Sequence, residues 1–177
     1  MANKLAFMTA LTALAFSGIA TAQVVGSGTM TVSATVVGTI NLTFITDAAG
    51  LPVTGTGTAT GTLPFGNVQM YGSTPPAGMT QVVNGIASFT ISSPVDIRAD
   101  LSNSASPNFT LAATLTTPDA VNAWTVGAVD ISTGALTTIA AAAAYATNTP
   151  YVFALTIPAS ETAGLITNTI NFTATAN

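Results

Sequence analysis

Near its beginning the sequence alternates between apolar and polar residues with a period of two. In the stretch TMTVSATVVGTINLTF, residues 29–44, every even position is apolar or small and nearly every odd position is polar. Successive side chains of a β-strand point to opposite faces, so this pattern predicts a strand. At about 3.3 Å per residue it would be roughly 50 Å long, against about 17–20 Å for a typical strand. One domain does not need that length, and Gly38 marks where the strand can divide.

The rest of the chain also favours strands. Thr, Val and Ile are abundant, helical periodicity is nearly absent, and short alternating runs recur between Gly, Pro and Asn, which predicts an all-β sandwich or barrel. Asn84-Gly85 predicts a two-residue hairpin turn with positive φ at both positions. The run 137–146 is rich in Ala and predicts a short helical turn. Further predicted strands are residues 63–72, 81–92, 95–102, 108–115, 123–132, 151–158 and 164–177.

The first residues have the pattern of a secretory signal peptide. An apolar run from Leu5 to about Ile19 follows one Lys, and Ala20-Thr21-Ala22 is a small-residue cleavage site. We expect residues 1–22 to be the signal peptide, residues 23–37 an N-terminal extension, and residues 38–177 one β-sandwich domain. The alternative is a retained membrane anchor, for which the run is interrupted by Thr9, Thr12 and Ser17.

Charged residues are scarce, and this excludes several classes of function. They make up 5% of the chain, against about 25% in an average protein. Loss of Lys4 with the signal peptide leaves one cation, Arg98, against six carboxylates, and therefore a net charge of −5. One cation cannot neutralise a row of phosphates, which excludes binding to nucleic acid or to anionic lipid. With neither His nor Cys, the chain also lacks imidazole bases, thiolates and disulfides.

Few of the acidic residues have a spacing that supports chemistry. In VDIRADL, Asp96, Arg98 and Asp100 share one strand face. The two carboxylates lie about 13 Å apart along a strand, too far for the roughly 5–9.5 Å of a glycosidase pair. A solvated ion-pair row around Arg98 is the simpler interpretation, and we expect neither enzymatic activity nor a cofactor. The open alternative is a calcium ion held by carboxylates from loops, which are Asp47, Asp119, Asp130 and Glu161.

Three sites match the N-glycosylation pattern: Asn41-Leu-Thr, Asn108-Phe-Thr and Asn171-Phe-Thr. The side chain of each Asn is predicted to point to the polar face of its strand. All three are therefore sterically available where the host has the modifying enzymes.

The two halves of the opening alternation have different expected roles. Ile40, Leu42 and Phe44 belong to the domain that follows. The apolar face of Met30, Val32, Ala34 and Val36 has no place in that domain, so we expect it to enter a groove of another molecule by strand addition. Because donor and acceptor surfaces differ, such contacts do not close and generate an open, head-to-tail homopolymer.

Both ends of the chain resemble a known family. The segments VVGSGTMTVSATVVGTI, LPFGN and YVFALTIPASETAGLITNTINFTATAN are similar to the secreted pilins of the spore coat U type, which include the archaic chaperone–usher pilins. The chain lacks the penultimate aromatic residue and the disulfide that are common there. The resemblance implies an immunoglobulin-like antiparallel β-sandwich with an N-terminal donor strand, and an assembly chaperone and outer-membrane usher as partners. The implied acceptor groove is lined by Ile40, Leu42, Phe44, Ile166, Ile170, Phe172 and Ala174.

The sequence therefore predicts a structural subunit of a secreted cell-surface filament, a pilus or thread that serves adhesion or biofilm formation. Two alternatives stay open at this point. The opening stretch can be one long, bent strand within a monomer. The protein can also be a monomeric secreted sandwich that binds carbohydrate, ice or another surface, or a spore or cell-coat protein.

Overall fold

The computed structural model describes residues 29–72 and 74–177, and within them every regular element is a β-strand. The predicted signal peptide lies outside the described residues. No helix in the described part of the chain is long and apolar enough to cross a membrane. The nine strands are β1 Thr39–Thr46, β2 Thr80–Asn84, β3 Ser88–Ser102, β4 Phe109–Leu115, β5 Ala123–Val126, β6 Val129–Asp130, β7 Thr137–Ala143, β8 Thr149–Pro158 and β9 Ile170–Ala176.

The strands form two antiparallel sheets, which confirms the predicted all-β class and is consistent with a β-sandwich. The larger sheet has six strands in the order β1-β3-β8-β5-β6, and β2 also pairs with β3. The smaller sheet has three strands in the order β7-β4-β9. β1 and β2 share one edge of β3, since β1 pairs with residues 95–102 and β2 with residues 88–92. The chain between β1 and β2 therefore leaves the larger sheet and returns to it at the same edge.

The chain divides into two compact units, Met1–Ala34 and Thr35–Asn177. In the described part of the first unit, residues 29–34, every residue is exposed and none belongs to a strand. The second unit contains both sheets. Its residues 35–38 are also exposed and without regular structure, so β1 begins directly after Gly38.

The core lies on the inner face of β3, the longest strand at 15 residues. Its inward side chains alternate with partly exposed ones along the whole strand, as a half-buried strand requires. The smaller sheet covers one half of this face, where Ile97 and Ala99 pack with Phe109 and Leu111 of β4. The other half, around Ile91, is covered by side chains from outside the strands, which are Leu51, Leu63, Phe65, Val68, Met70, Met79 and Ile166.

Residues 137–146 do not form the predicted helical turn, because β7 occupies Thr137–Ala143. β7 pairs with β4 from Ala113↔Thr137 to Phe109↔Ala143, with two register shifts in between. The helix propensities of Ala and Thr differ by less than about 0.7 kcal/mol per residue. Hydrogen bonds to the edge of β4 and the inward packing of Ile139 outweigh that preference.

The turn prediction at Asn84-Gly85 is right in place and wrong in type. Asn84 pairs with Ser88, so the loop has three residues, and only Gly85 has positive φ, at 66°. The Asn84 amide instead donates hydrogen bonds to the hydroxyl groups of Ser88 and Thr90, at 3.3 and 3.0 Å. The two-residue turn with positive φ at both positions is Gly127-Ala128, at 56° and 67°, and it divides the strand predicted for 123–132 into β5 and β6.

Two other predicted strands are shorter than expected or missing. Residues 63–72 form no strand, although Leu63, Phe65, Val68 and Met70 still pack into the core. The strand predicted for 164–177 begins only at Ile170. Both irregular segments flank the half of the larger sheet that the smaller sheet leaves uncovered.

Ala128 offers a test of this turn. A non-Gly residue in the left-handed region costs about 1–2 kcal/mol, and Gly avoids that cost at an entropic penalty of about 0.5–1 kcal/mol. We expect Ala128→Gly to stabilise the protein by about 0.5–1 kcal/mol, measured by urea unfolding. Ala120→Gly, at an exposed position without positive φ, is the control and should destabilise it. A loss of stability in Ala128→Gly equal to that of the control would contradict the assigned turn.

Candidate functional site

An open groove lies on the inner face of the larger sheet and has a volume of about 1190 Å³. Its floor is apolar and comes from β3 and β8: Ile91, Val95, Phe153, Leu155 and Ile157. Apart from Phe153, these side chains are buried, at 1–5% exposure. Two segments without regular structure, residues 59–68 and 164–169, line its sides. No lining residue is charged. Among the described residues, the groove is therefore a neutral cleft that has an apolar floor and is lined by both polar and apolar groups.

The length of the groove follows from the strand register. Leu42, near one end, lies opposite Ala99 of β3, and Ile157, near the other end, lies opposite Phe89. The interval from residue 89 to residue 99 corresponds to about 33 Å at 3.3 Å per residue. The groove is thus long enough for roughly ten residues of extended chain.

Aromatic side chains narrow the groove where the two sheets approach each other. The rings of Phe44 on β1 and Phe172 on β9 meet edge to face, with centroids 5.2 Å apart. Phe153 of β8 packs against Phe172 at 5.8 Å. Beyond this cluster β9 has not yet begun, and residues 164–169 line the cleft instead. This part of the cleft lies at the end of the two sheets where β8 ends and β9 begins, which we call the groove end.

One side of the groove has unpaired backbone groups. In the described chain, Leu165, Ile166 and Thr167 make no backbone hydrogen bond, and Thr169 accepts one from the Thr116 amide at 2.8 Å. These residues continue the line of β9, the edge strand of the smaller sheet. A row of free N–H and C=O groups along an edge is a template for another strand.

Trp124 lies in the groove wall, and Asp119 fixes its indole ring. The Asp119 carboxylate accepts hydrogen bonds from the Trp124 Nε1 at 2.8 Å, from the amides of Val121 and Asn122 at 3.0 and 2.9 Å, and from the Asn122 side chain at 3.1 Å. Partial burial alone would raise the pKa of Asp119, but these four bonds outweigh it and lower the pKa to about 2. Trp124 is the one tryptophan of the chain, so its fluorescence reports on the groove.

The lowered pKa predicts an acid-sensitive contribution to stability. A carboxylate whose pKa is lower in the folded state stabilises the fold above its unfolded pKa of 3.8 and loses that effect as pH falls through about 2. Because Asp119 is partly exposed, we expect a contribution of about 1–2 kcal/mol after solvent screening. Asp119→Asn should lower the melting temperature at pH 7, flatten its decline between pH 4 and 2, and shift the Trp124 emission. An unchanged pH profile would contradict this role.

The charged residues of β3 lie on the outer face of the larger sheet, away from the groove. Arg98 donates two hydrogen bonds from Nε and one from Nη2 to the Asp100 carboxylate, at 2.8–3.0 Å. Asp96 lies beside Asp47 instead, and burial followed by the Asp47 charge raises the pKa of Asp96. Among residues 29–72 and 74–177, no three His, Cys, Asp or Glu side chains are close enough to hold a metal ion.

The three glycosylation motifs differ in their surroundings. Asn41 on β1 is exposed and its side chain makes no hydrogen bond within the described structure. Asn108 is half-buried, and its side-chain oxygen accepts a hydrogen bond from Asn177. Asn171 is exposed but donates to the Thr116 hydroxyl at 2.9 Å.

The structure brings most of the predicted acceptor residues to the groove. Leu42, Phe44, Ile166, Ile170 and Phe172 line it. Ile40 and Ala174 do not, since they pack into the covered part of the core with Phe109 and Leu111. The predicted donor residues are not paired: Met30, Val32 and Val36 are 88%, 83% and 72% exposed.

Sequence reasoning missed the floor of the groove and Trp124. The floor residues show the ordinary alternation of a half-buried strand, and nothing in that pattern says which part of a sheet stays uncovered. The segment 59–68 was missed because residues from 63 onward were predicted to be a strand. The one available signal was the short spacing of Asp119, Asn122 and Trp124, which can form a local turn.

Comparison with known proteins gives no further assignment. No family model, no curated protein and no solved structure matches this chain.

Proposed function

We propose that this protein is the structural subunit of a secreted extracellular filament, in which residues 23–37 of one copy enter the groove of the next. The observation that carries the proposal is an open, uncharged groove with unpaired backbone groups on one side, in a chain that also has an exposed segment with alternating apolar residues. Strand addition would pair the free backbone groups of the groove and bury the exposed segment in one step. Backbone hydrogen bonds complete the ladder, and alternate side chains fill the cleft.

The size and chemistry of the groove fit a chain segment. Its volume of about 1190 Å³ exceeds the roughly 300–1,000 Å³ of small-molecule pockets. Residues 30–36 extend over about 23 Å, which is within the groove length of about 33 Å. The groove lining and residues 23–37 are both free of charged side chains. Insertion therefore brings no ionic group out of water.

The energy available is sufficient for stable association. Burial of Met30, Val32 and Val36, at about 1.5–3 kcal/mol each, gives roughly 5–9 kcal/mol before the ladder hydrogen bonds are counted. Association and ordering of the segment cost several kcal/mol of this gain.

The proposal includes the immunoglobulin-like, pilin-type arrangement of the sandwich and export to the cell surface. The donor and acceptor surfaces are different parts of the chain, so each added copy leaves one free groove or one free segment. The result is a head-to-tail homopolymer that serves adhesion or biofilm formation. An assembly chaperone and an outer-membrane usher are the partners that this route uses.

Successive residues of the extension lie on opposite faces, which allows a matched pair of variants in the full-length chain. We expect Val32→Asp to abolish polymers, because it places a charge on the face that enters the apolar groove. Ser33→Asp carries the same charge one residue later on the opposite face and should still polymerise. Analytical ultracentrifugation and electron microscopy of both secreted variants measure the difference. Equal polymerisation of both variants would argue against insertion of this face.

The Val32→Asp protein also provides a free acceptor. A synthetic peptide of residues 23–37 should raise its melting temperature in a saturable manner, by an amount equivalent to about 2.7 kcal/mol at a peptide concentration 100 times the dissociation constant. The same titration should shift the Trp124 emission, since the peptide contains no tryptophan. A peptide with Asp in place of Val32 is the control and should have no effect. Indifference to the unmodified peptide would overturn the proposed function.

A further inference from the structure

Large exposed apolar side chains gather at the groove end of the folded unit. Ile86, at the tip of the β2–β3 turn, is 88% exposed, and Leu165 is 91% exposed. Val121 and Leu136, in the loops before β5 and β7, are 60% and 61% exposed. We call these four residues the entrance cluster. Single exposed apolar residues are ordinary, but several at one end of a domain mark an interaction surface.

Backbone and side-chain hydrogen bonds place these loops at the same end. The Ala159 amide, just after β8, donates to the Ala87 carbonyl at 2.7 Å, next to Ile86. The Asn168 side chain donates to the Thr117 carbonyl at 2.7 Å, which joins the segment of Leu165 to the loop of Val121. The Thr114 hydroxyl donates to the Gly134 carbonyl at 2.8 Å, close to Leu136. β3 begins at this end and β4 ends there.

The opposite end of the folded unit has a different surface. Its loops, residues 103–108 and 144–148, are short and polar or small. Among the described residues, the large exposed apolar side chains at this end are Val36 and Val37, which are 72% and 65% exposed. They directly precede Gly38 and β1, whose first residue, Thr39, pairs with Ser102 at the end of β3. Val36 belongs to the face that enters the groove, so we call Val37 alone the stem.

We propose that the entrance cluster of one copy packs against the stem of the next copy and forms a second contact beside the groove. The inference rests on the proposed function, which brings the extension of a second copy to the groove. The stem is the part of the extension that joins it to its own folded unit, so at least Val37 stays outside an occupied groove. Both surfaces are apolar and they lie at opposite ends of the unit, which is the arrangement that a head-to-tail contact requires.

The contact fixes the direction of the inserted segment. With the stem at the groove end, residue 30 lies deep in the groove near Phe44 and Phe172, and residue 36 lies near Leu165. The segment then runs opposite to β9, which proceeds from the groove end toward Asn177. Antiparallel pairing with the free backbone groups of residues 165–167 is the more stable of the two directions.

Engineered cysteines test this contact without background, because the chain has no cysteine. The full-chain double variant Val37→Cys/Leu165→Cys should form a ladder of covalent oligomers under mild oxidation, seen on a non-reducing gel. The control Val37→Cys/Asn148→Cys, with the second cysteine at the opposite end, should form no ladder. A ladder in the control but not in the first variant, or a disulfide within single chains, would overturn the inference.

A second variant tests the contribution of the cluster to assembly. Ile86→Ser/Val121→Ser/Leu136→Ser changes exposed positions outside the groove and should leave folding intact. We expect the association of successive copies to weaken about 10–100-fold, measured by sedimentation, because the contact buries only part of each of these three apolar side chains. Val152→Ser, at an exposed position on the outer face of the larger sheet, is the control and should leave association unchanged.

The outcomes separate the two proposals. If the peptide of residues 23–37 still binds the Val32→Asp protein while the cysteine ladder is missing and the triple variant assembles normally, the entrance cluster is not a contact and the proposed function stands. If the peptide does not bind, the proposed function fails and the cluster inference fails with it.

Discussion

Apolar side chains on the inner face of β3 and β8 must be covered, and the smaller sheet is too narrow to cover all of them. Where β4, β7 and β9 lie above this face, Leu111 and Ala113 are fully buried. Where they do not, irregular chain takes their place with Leu63, Phe65 and Ile166. Irregular chain covers side chains but cannot complete a ladder, so the groove keeps both apolar surface and free backbone groups. The groove, the exposed extension and the proposed assembly all follow from the difference in width between the two sheets.

The scarcity of charge determines how such a protein can be selective. Arg98 is the one cation in the described chain and its guanidinium is already bound by Asp100. Ion pairs therefore cannot make the interaction selective. The selectivity must come from the register of alternate side chains in the cleft. Low charge also removes a common protection of strand edges. The unpaired backbone of residues 165–167 is then a surface that another strand can use.

The sequence allowed prediction of the all-β class and of β4 and β8, because alternation with period two is a local property that a half-buried strand must have. It predicted the single long strand β3 as two separate pieces, 81–92 and 95–102. It did not allow prediction of β7, since the alanine run has no strong local preference and the edge of β4 decides its conformation. Leu42, Phe44 and Phe172 could be assigned to a cleft only through the resemblance of the two chain ends to pilins, since alternation alone shows that a face is apolar and not that it lines a cleft. Ile91, Leu155 and Trp124 could not be assigned to it, because which part of a sheet stays uncovered depends on the width of the opposite sheet.

The position of Gly38 bears on whether a chain would fill its own groove. A side-chain Cβ at this residue would lie 3.2 Å from the Asn103 carbonyl oxygen and 3.3 Å from the Ser104 Cβ, so glycine lets the chain pass close to the turn after β3. A chain that turned back at Gly38 would run opposite to β1. β1 proceeds toward the groove end and β9 away from it, so the returning segment would be parallel to β9. A segment from another copy can be antiparallel to β9, and antiparallel pairing is the more stable. The direction of the strands therefore favours exchange between copies over closure within one.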